Sequence, residues 1–322
     1  MDRPSVIFFK DAFVPSEEAR VSVLTHAFNY GTGCFEGIRG YANPVLGETF
    51  VFRLREHLQR LLQSSHIIAC EVHYTVDELA EICLELLRRN DHRGDVYIRP
   101  LVYKSGTGIG VTMAGVPDEI TIFAVPFGKY IETDKGIRCS ISSWRRSSDN
   151  TIPPRAKITG GYINAALAKH EALLNGFDEA IMLTDDGFLS EGSAENLFIV
   201  RDGTLYTPAV SESVLEGITR ATVSYLALEE LGIRTAERRL NRTELFTADE
   251  VFLCGTGAEI SPVVEVDHRR IGTGQIGPVV KRLQALYYAV VRGDNPHYAR
   301  WLTPVFGSVA AAAQAPLASQ SV

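Results

Sequence analysis

The chain has 322 residues, 45% hydrophobic and 22% charged, with 32 basic against 39 acidic side chains and a net charge of -7. Mean hydropathy is +0.02, an ordinary globular value that excludes a disordered, collagen-like or low-complexity chain. An acidic protein is poorly suited to general nucleic-acid binding, although local arginines can still hold small anions. At roughly 150 residues per domain the length suggests two domains, large enough to need no disulfide or metal. Cys34, Cys70, Cys83, Cys139 and Cys254 are scattered and form no C-x-x-C pair, so no disulfide framework or zinc site is expected and a reducing cytoplasm is. The apolar stretch before Lys10 is too short for a signal peptide, and no apolar run reaches the roughly eighteen residues of a membrane span.

Along the chain, Ser5 to Val14 reads as a hairpin turning at Lys10-Asp11. Residues 56–69 carry Leu58, Leu61, Leu62, Ser65 and Ile68 on one helical stripe. A second helix opens with the capping box Thr75-Val-Asp-Glu78 and continues through Leu79, Ile82, Cys83, Leu86 and Leu87 at helical spacing. Strands are predicted around Asp95–Tyr103 and Glu119–Pro126. The polar stretch Phe127–Gly136 reads as a junction. It divides a small N-terminal domain, 1–126, from a larger strand-rich domain, 137–306, with a flexible tail over 307–322.

In the second part Gly161–Leu174 is a predicted helix closed by Asn175-Gly176. Short strands follow at Ala180–Thr184, Phe188–Ser190, Asn196–Val200 and Thr204–Tyr206, turned by Asp186-Gly187 and Asp202-Gly203. Further helices run from Gly217 to Leu231 and from Pro278 onward, with the strand Glu250–Cys254 between them. The fold class is mixed α/β.

Nucleotide motifs fail. Gly106-Thr-Gly-Ile-Gly110 follows a strand, but Val111 breaks the G-x-G-x-x-G pattern, and Gly255-Thr-Gly257 fails it at Ile260. No P-loop and no paired-histidine metal spacing occurs, so no metal is expected. What remains is a set of residues. Lys157 lies in an extended stretch set by Pro153 and Pro154, just before a helix, and a lysine with lowered pKa is a nucleophile. Glu191 sits in a small-residue turn between apolar strands, where a buried carboxylate would need a cationic partner. Gly217, Ile218 and Thr219 occupy a helix start, where free amides and a hydroxyl cradle anions. Thr256 can add a hydroxyl and Arg60 a charge. Each residue alone has an ordinary structural explanation. Together, a lysine, a buried acid and a phosphate cradle without a nucleotide motif describe a pyridoxal phosphate site, with the lysine on the aldehyde and the acid on the pyridine nitrogen.

The chain resembles the class IV (fold type IV) pyridoxal-phosphate aminotransferases, most closely the branched-chain amino acid aminotransferases. The motifs that carry the resemblance run from about Phe8 to Leu302. They include His26-Ala-Phe-Asn-Tyr-Gly-Thr, Phe35-Glu-Gly-Ile-Arg39, Phe52-Arg-Leu-Arg-Glu-His-Leu-Gln-Arg-Leu61 and Tyr97-Ile-Arg-Pro-Leu101. Asn150-Thr-Ile-Pro153, Ser190-Glu-Gly-Ser-Ala-Glu-Asn196, Gly217-Ile-Thr-Arg220 and Gly255-Thr-Gly-Ala-Glu-Ile260 extend it.

The resemblance implies a small α/β domain, a larger pseudo-barrel domain and pyridoxal 5'-phosphate as cofactor. It makes Lys157 the Schiff-base lysine and acid–base, with Tyr162 on the ring phenolate oxygen and Glu191 on the pyridine nitrogen. Arg60, Gly217, Ile218, Thr219 and Thr256 would hold the phosphate. Tyr97, with the amides of Thr256 and Gly257, would receive the substrate α-carboxylate, and Arg99 the distal carboxylate of glutamate or 2-oxoglutarate. Tyr30, Phe35, Gly37, Tyr130 and the loop at Ile109 would build the side-chain pocket. The Gly106–Gly110 loop comes from the neighbouring subunit in the family, which implies a homodimer. The chain departs from the family at Gly257, Phe127 and Gly161, where alanine, tryptophan and asparagine are frequent, and the pocket is correspondingly roomier. The reaction implied is ping-pong transamination of leucine, isoleucine or valine with 2-oxoglutarate. D-amino acid or (R)-amine transamination, and 4-amino-4-deoxychorismate lyase activity, are the alternatives on the same fold.

Overall fold

The computed structural model describes residues 4–128 and 135–307. An antiparallel sheet is built in the order Leu302–Pro304, Glu48–Phe52, Ile38–Asn43, Val96–Lys104, Asp118–Pro126, Val6–Phe9, Ala12–Pro15, with Gly33–Phe35 also paired to Val96–Lys104. Helices Leu54–Ile67 and Val76–Arg89 cover one face, burying Leu58, Leu61, Leu79 and Leu86 against Ile98 and Ile122. The capping box at Thr75 forms as expected: its hydroxyl accepts from the Glu78 amide at 3.2 Å, and the Glu78 carboxylate accepts the Thr75 amide at 2.8 Å.

The second sheet closes on itself. Ile137–Arg145, Glu259–Val266, Glu250–Gly255, Asn196–Arg201, Leu189–Gly192 and Glu179–Leu183 are each paired to the next, and the last pairs back to the first. The ring's inward side chains, including Ile181, Leu197, Leu253 and Val263, fill the interior, while Thr204–Thr207 and Thr235–Glu237 extend the sheet outward from Asn196–Arg201. The crossover between the parallel strands Ile137–Arg145 and Glu179–Leu183 is helix Tyr162–Leu174, so the chain around Lys157 must leave one strand end and enter that helix. Helices Ile218–Leu231 and Pro278–Val291 pack outside the ring on Phe198 and Phe252.

Most helices lie within two residues of their predicted bounds; 56–69 becomes Leu54–Ile67. The sequence reading did not assign the strands Ile38–Asn43, Glu48–Phe52, Ile137–Arg145 and Glu259–Val266. Glu48–Phe52 is buried on both faces and shows no alternation to read. The segment before Lys157 is not extended, which corrects that expectation. Pro154 sits at the second position of a turn, with the Ala156 amide bonded to the Pro153 carbonyl at 3.2 Å, because a proline-fixed φ suits that position. Most of the predicted junction, 129–134, and the tail beyond 307 lie outside the described residues.

The two sheets meet along a short backbone zipper. The Phe35 amide bonds the Lys157 carbonyl at 3.0 Å, Thr159 bonds Gly33 at 2.8 Å and Gly160 bonds Gly31 at 3.1 Å. Gly31 has φ +67°, and a Cβ there would stand 2.6 Å from the Gly160 Cα. Gly31→Ala is therefore expected to destabilise the protein by more than about 1 kcal/mol, since it combines backbone strain with a clash against main chain. Chemical denaturation monitored by circular dichroism checks this; a loss of only a few tenths would mean that the zipper yields freely.

Candidate active site

One pocket is lined by Arg60, Lys157, Tyr162, Glu191, Gly217, Ile218, Thr219 and Thr256, all the residues assigned in sequence to lysine chemistry and anion binding. They arrive from different elements: Arg60 from helix Leu54–Ile67, Tyr162 from the first turn of Tyr162–Leu174, Glu191 from Leu189–Gly192, and Thr256 from the turn after Glu250–Gly255. The Lys157 Nζ lies 2.5 Å from the Tyr162 Oη and 5.2 Å from the centre of the Phe35 ring.

At one end of the pocket, helix Ile218–Leu231 begins after Gly217. Its first intrahelical bond runs from the Ala221 amide to the Gly217 carbonyl, so the amides of Ile218 and Thr219 precede the hydrogen-bonded ladder. Their N–H groups and the helix dipole favour an anion. Arg60 lies beside them, its Nη1 donating to the Glu216 carbonyl at 2.8 Å.

At another wall Glu191 is 4% exposed. Arg146 Nη2 is 2.8 Å from its Oε1, while Asn196 Nδ2 at 3.0 Å and the Leu215 amide at 3.2 Å donate to its Oε2. Burial pushes the Glu191 carboxyl up, and Arg146 opposes that shift. Sequence reasoning missed Arg146, since nothing local separates it from its neighbour Arg145 at the end of a strand. It also missed Glu36 and His57. Glu36 could have been suspected as a charge between Phe35 and Gly37, in the link between Gly33–Phe35 and Ile38–Asn43, and His57 as the i−3 neighbour of Arg60 on one helix face.

The substrate-side residues divide. Arg99 Nη2 donates to the Tyr97 Oη at 2.8 Å, and the Arg99 guanidinium stacks 4.2 Å from the Phe35 ring centre. Phe35 in turn packs 4.9 Å from the Tyr162 ring, and Tyr97 5.0 Å from Phe127. A Cβ at Gly37 would run into the Tyr97 hydroxyl where it now lies, so a larger residue here requires the Tyr97 ring to shift. Gly257 follows Thr256, and its carbonyl accepts from Arg39 Nη1 at 3.4 Å. Tyr30 and Ile109 are not part of this wall in the single chain. Both are exposed, Ile109 at 81%, and the Gly110 amide next to Ile109 bonds the Tyr30 Oη at 2.9 Å. Tyr130 lies outside the described residues.

Comparison with known proteins agrees with this geometry. The Amino-transferase class IV family matches residues 33–266, and the chain belongs to that family. It is 48% identical to a probable branched-chain-amino-acid aminotransferase of Aquifex aeolicus, over 93% of this chain and 96% of that one. It is 43% identical to the branched-chain-amino-acid aminotransferase of Escherichia coli K12, over 93% and 97%. Among solved structures, the branched-chain aminotransferase of Thermoproteus uzoniensis with norvaline superimposes with a TM-score of 0.90 at 44% identity, covering 94% of this chain and all (100%) of that one. The branched-chain amino acid aminotransferase of Thermobaculum terrenum in its PLP-form (holo-form) gives 0.91 at 40%, covering 95% and 99%.

Glu195 also lines the pocket and is 4% exposed. Burial, then the nearby Glu179 carboxylate, push its carboxyl from the ordinary 4.5 up to about 8. A raised carboxyl favours the folded state fully below 4.5, and this contribution is lost as pH rises through about 8. The stability of Glu195→Gln relative to the parent should therefore climb between those values and level off above them. Urea denaturation of the cofactor-free protein across that range checks it; a difference independent of pH would show the carboxyl to be ionised throughout.

Proposed function

We propose that this chain is a pyridoxal 5'-phosphate-dependent branched-chain-amino-acid aminotransferase, exchanging the amino groups of leucine, isoleucine or valine with 2-oxoglutarate. The observation that carries this reading is the Lys157 amine against the Tyr162 hydroxyl, in one pocket with a helix-start anion cradle and a buried acid. The donor set fits the cofactor: cationic and amide donors for a phosphate, an amine for an aldehyde, a carboxylate for a ring N–H. The buried Arg146 Nε has no hydrogen-bond partner among the described residues, a further polar atom at this wall for a ligand to satisfy. When bound, the cofactor supplies an electron sink for the substrate Cα.

The chain's own residues then have separable roles. Lys157 Nζ holds the cofactor and moves the Cα proton, while the Tyr162 Oη keeps the amine aimed. Glu191 accepts the pyridine N–H, and Arg146 favours its ionised form. Arg60 with the amides of Ile218 and Thr219, and Thr256, take the phosphate. Tyr97 with the Thr256–Gly257 turn takes the α-carboxylate. Phe35 and Gly37 shape an apolar pocket closed by the Arg99 guanidinium, which lets one site take an apolar side chain and a distal carboxylate in turn. The two sheets support reading 1–126 and 137–306 as a small and a large domain, with Leu302–Pro304 returning to the first. Among the described residues no helix is long and apolar enough to cross a membrane. The five described cysteines are free, as a reducing cytoplasm would keep them.

The exposed patch of Val23, Phe28, Ile109 and Val111, 70% to 81% exposed, supports docking of a second copy that would bring Tyr30 and Ile109 to a pocket. Phe28→Asp is expected to shift the protein toward monomer in sedimentation equilibrium and to raise KM for leucine. An unchanged dimer would remove this surface from the interface.

Leucine should bleach the yellow protein and 2-oxoglutarate should restore its colour. Bleaching by an (R)-amine and not by leucine would overturn the substrate assignment. Lys157→Ala should lower turnover by at least about a thousandfold. It should also abolish the cofactor mass that borohydride fixes on the peptide containing residue 157. A label surviving on another lysine would overturn the role of Lys157.

A further inference from the structure

Two motifs of the sequence reading are Phe35-Glu-Gly-Ile-Arg39 and the helix through His57 and Arg60. Each holds a titratable residue that the proposed chemistry does not use, Glu36 in the first and His57 in the second. Glu36 is fully buried, at 0% exposure, and His57 is 2% exposed. The Glu36 carboxylate accepts Arg60 Nε on Oε1 at 2.7 Å and Arg60 Nη2 on Oε2 at 2.9 Å. His57 Nδ1 lies 2.7 Å from Oε2. Burial favours an uncharged carboxyl, yet Arg60 and His57 hold Glu36 down at about 2, and burial pushes the His57 imidazole down as well. The group is therefore a carboxylate with a neutral imidazole donating to it and a guanidinium bound side-on.

We propose that Glu36, braced by His57, is a positioning residue that fixes Arg60 for phosphate. This rests on the pyridoxal phosphate reading above. The side-on pair and the Glu216 carbonyl take the Nε N–H and one N–H on each terminal nitrogen. The remaining N–H of each terminal nitrogen forms a fork on a side chain that lines the same pocket as Ile218, Thr219 and Thr256. A fork whose orientation is set beforehand loses little freedom when an oxyanion arrives. Glu36 is itself fixed, because its amide donates to the Pro100 carbonyl at 2.9 Å. Its neighbours face other partners: Phe35 packs on the Tyr162 ring, and Gly37 lies against Tyr97. The same three residues thus set the substrate wall on one side and the phosphate arginine on the other. A glutamine at 36 keeps the shape but offers one acceptor oxygen to three donors and turns its NH2 against them.

The test compares two probes, pyridoxal 5'-phosphate and pyridoxal, by equilibrium binding to the cofactor-free protein. Glu36→Gln is expected to weaken pyridoxal 5'-phosphate binding at least roughly tenfold, the scale of a lost charge-assisted bond. Pyridoxal, which has no phosphate, should change by less than about twofold. In an Arg60→Gln background, which also removes the unpaired buried charge and so guards against misfolding, Glu36→Gln should add no more than about twofold. An equal loss for both probes, or the full loss persisting without Arg60, would overturn the role of Glu36. A parent protein that binds neither probe would instead overturn the cofactor reading.

Discussion

The site depends on a few main-chain hydrogen bonds between Gly31–Phe35 and Lys157–Gly160. They carry no specificity of their own, but they hold the lysine segment of the closed ring against the edge of the other sheet. Without them, Phe35 and Tyr162 would not be packed against each other, and Lys157 would lie on a loop with nothing to aim it. The contact is close because both partners lack a side chain where they cross: Gly31 and Gly160 nearly touch. Backbone against backbone leaves no rotamers to reorganise, which is why a lysine between the two sheets can be placed within hydrogen-bond distance of one hydroxyl.

Around that seam the electrostatics follow a single pattern. Three buried charges there have their counter-charge supplied by another element: Glu36 by Arg60, Glu191 by Arg146, Arg39 by Glu259 at 3.3 Å. Pairs of this kind contribute little net stability, because desolvation consumes most of the Coulomb attraction. Their value is geometric. Arg39 reaches from the first sheet to the carbonyls of Gly128 at 3.0 Å and of Gly257 at 3.4 Å, so the junction and the turn after Glu250–Gly255 share one fixed donor. Arg60 joins the first sheet's helix to the start of Ile218–Leu231 through the Glu216 carbonyl. The pocket is therefore assembled from both sheets and cannot form on either one alone.

The helices, their caps and the short hairpins were legible because each is specified locally, by period, by Thr75-Val-Asp-Glu78, or by an Asp-Gly turn. The family was legible because its motifs are contiguous in the chain, and so were the residues that the structure gathers into one pocket. Glu48–Phe52 was not legible, since uniform burial erases alternation there; the buried strands Asn196–Arg201 and Glu250–Gly255 were legible from their short apolar runs. Arg146, Glu36 and His57 were not legible as site residues either. Their partners are 45, 24 and 21 residues away respectively, for Glu191, Arg60 and Glu36. The expectation of extended chain at Pro153-Pro154 failed because the fixed φ of Pro154 serves the second position of a turn as well as it serves an extended strand. By itself, then, the sequence determined the class of protein and the residues that line its pocket, since those reside in short-range pattern. Only the tertiary structure decided which arginine answers which acid and how the ring closes, because both depend on contacts between segments whose separation leaves no periodic trace.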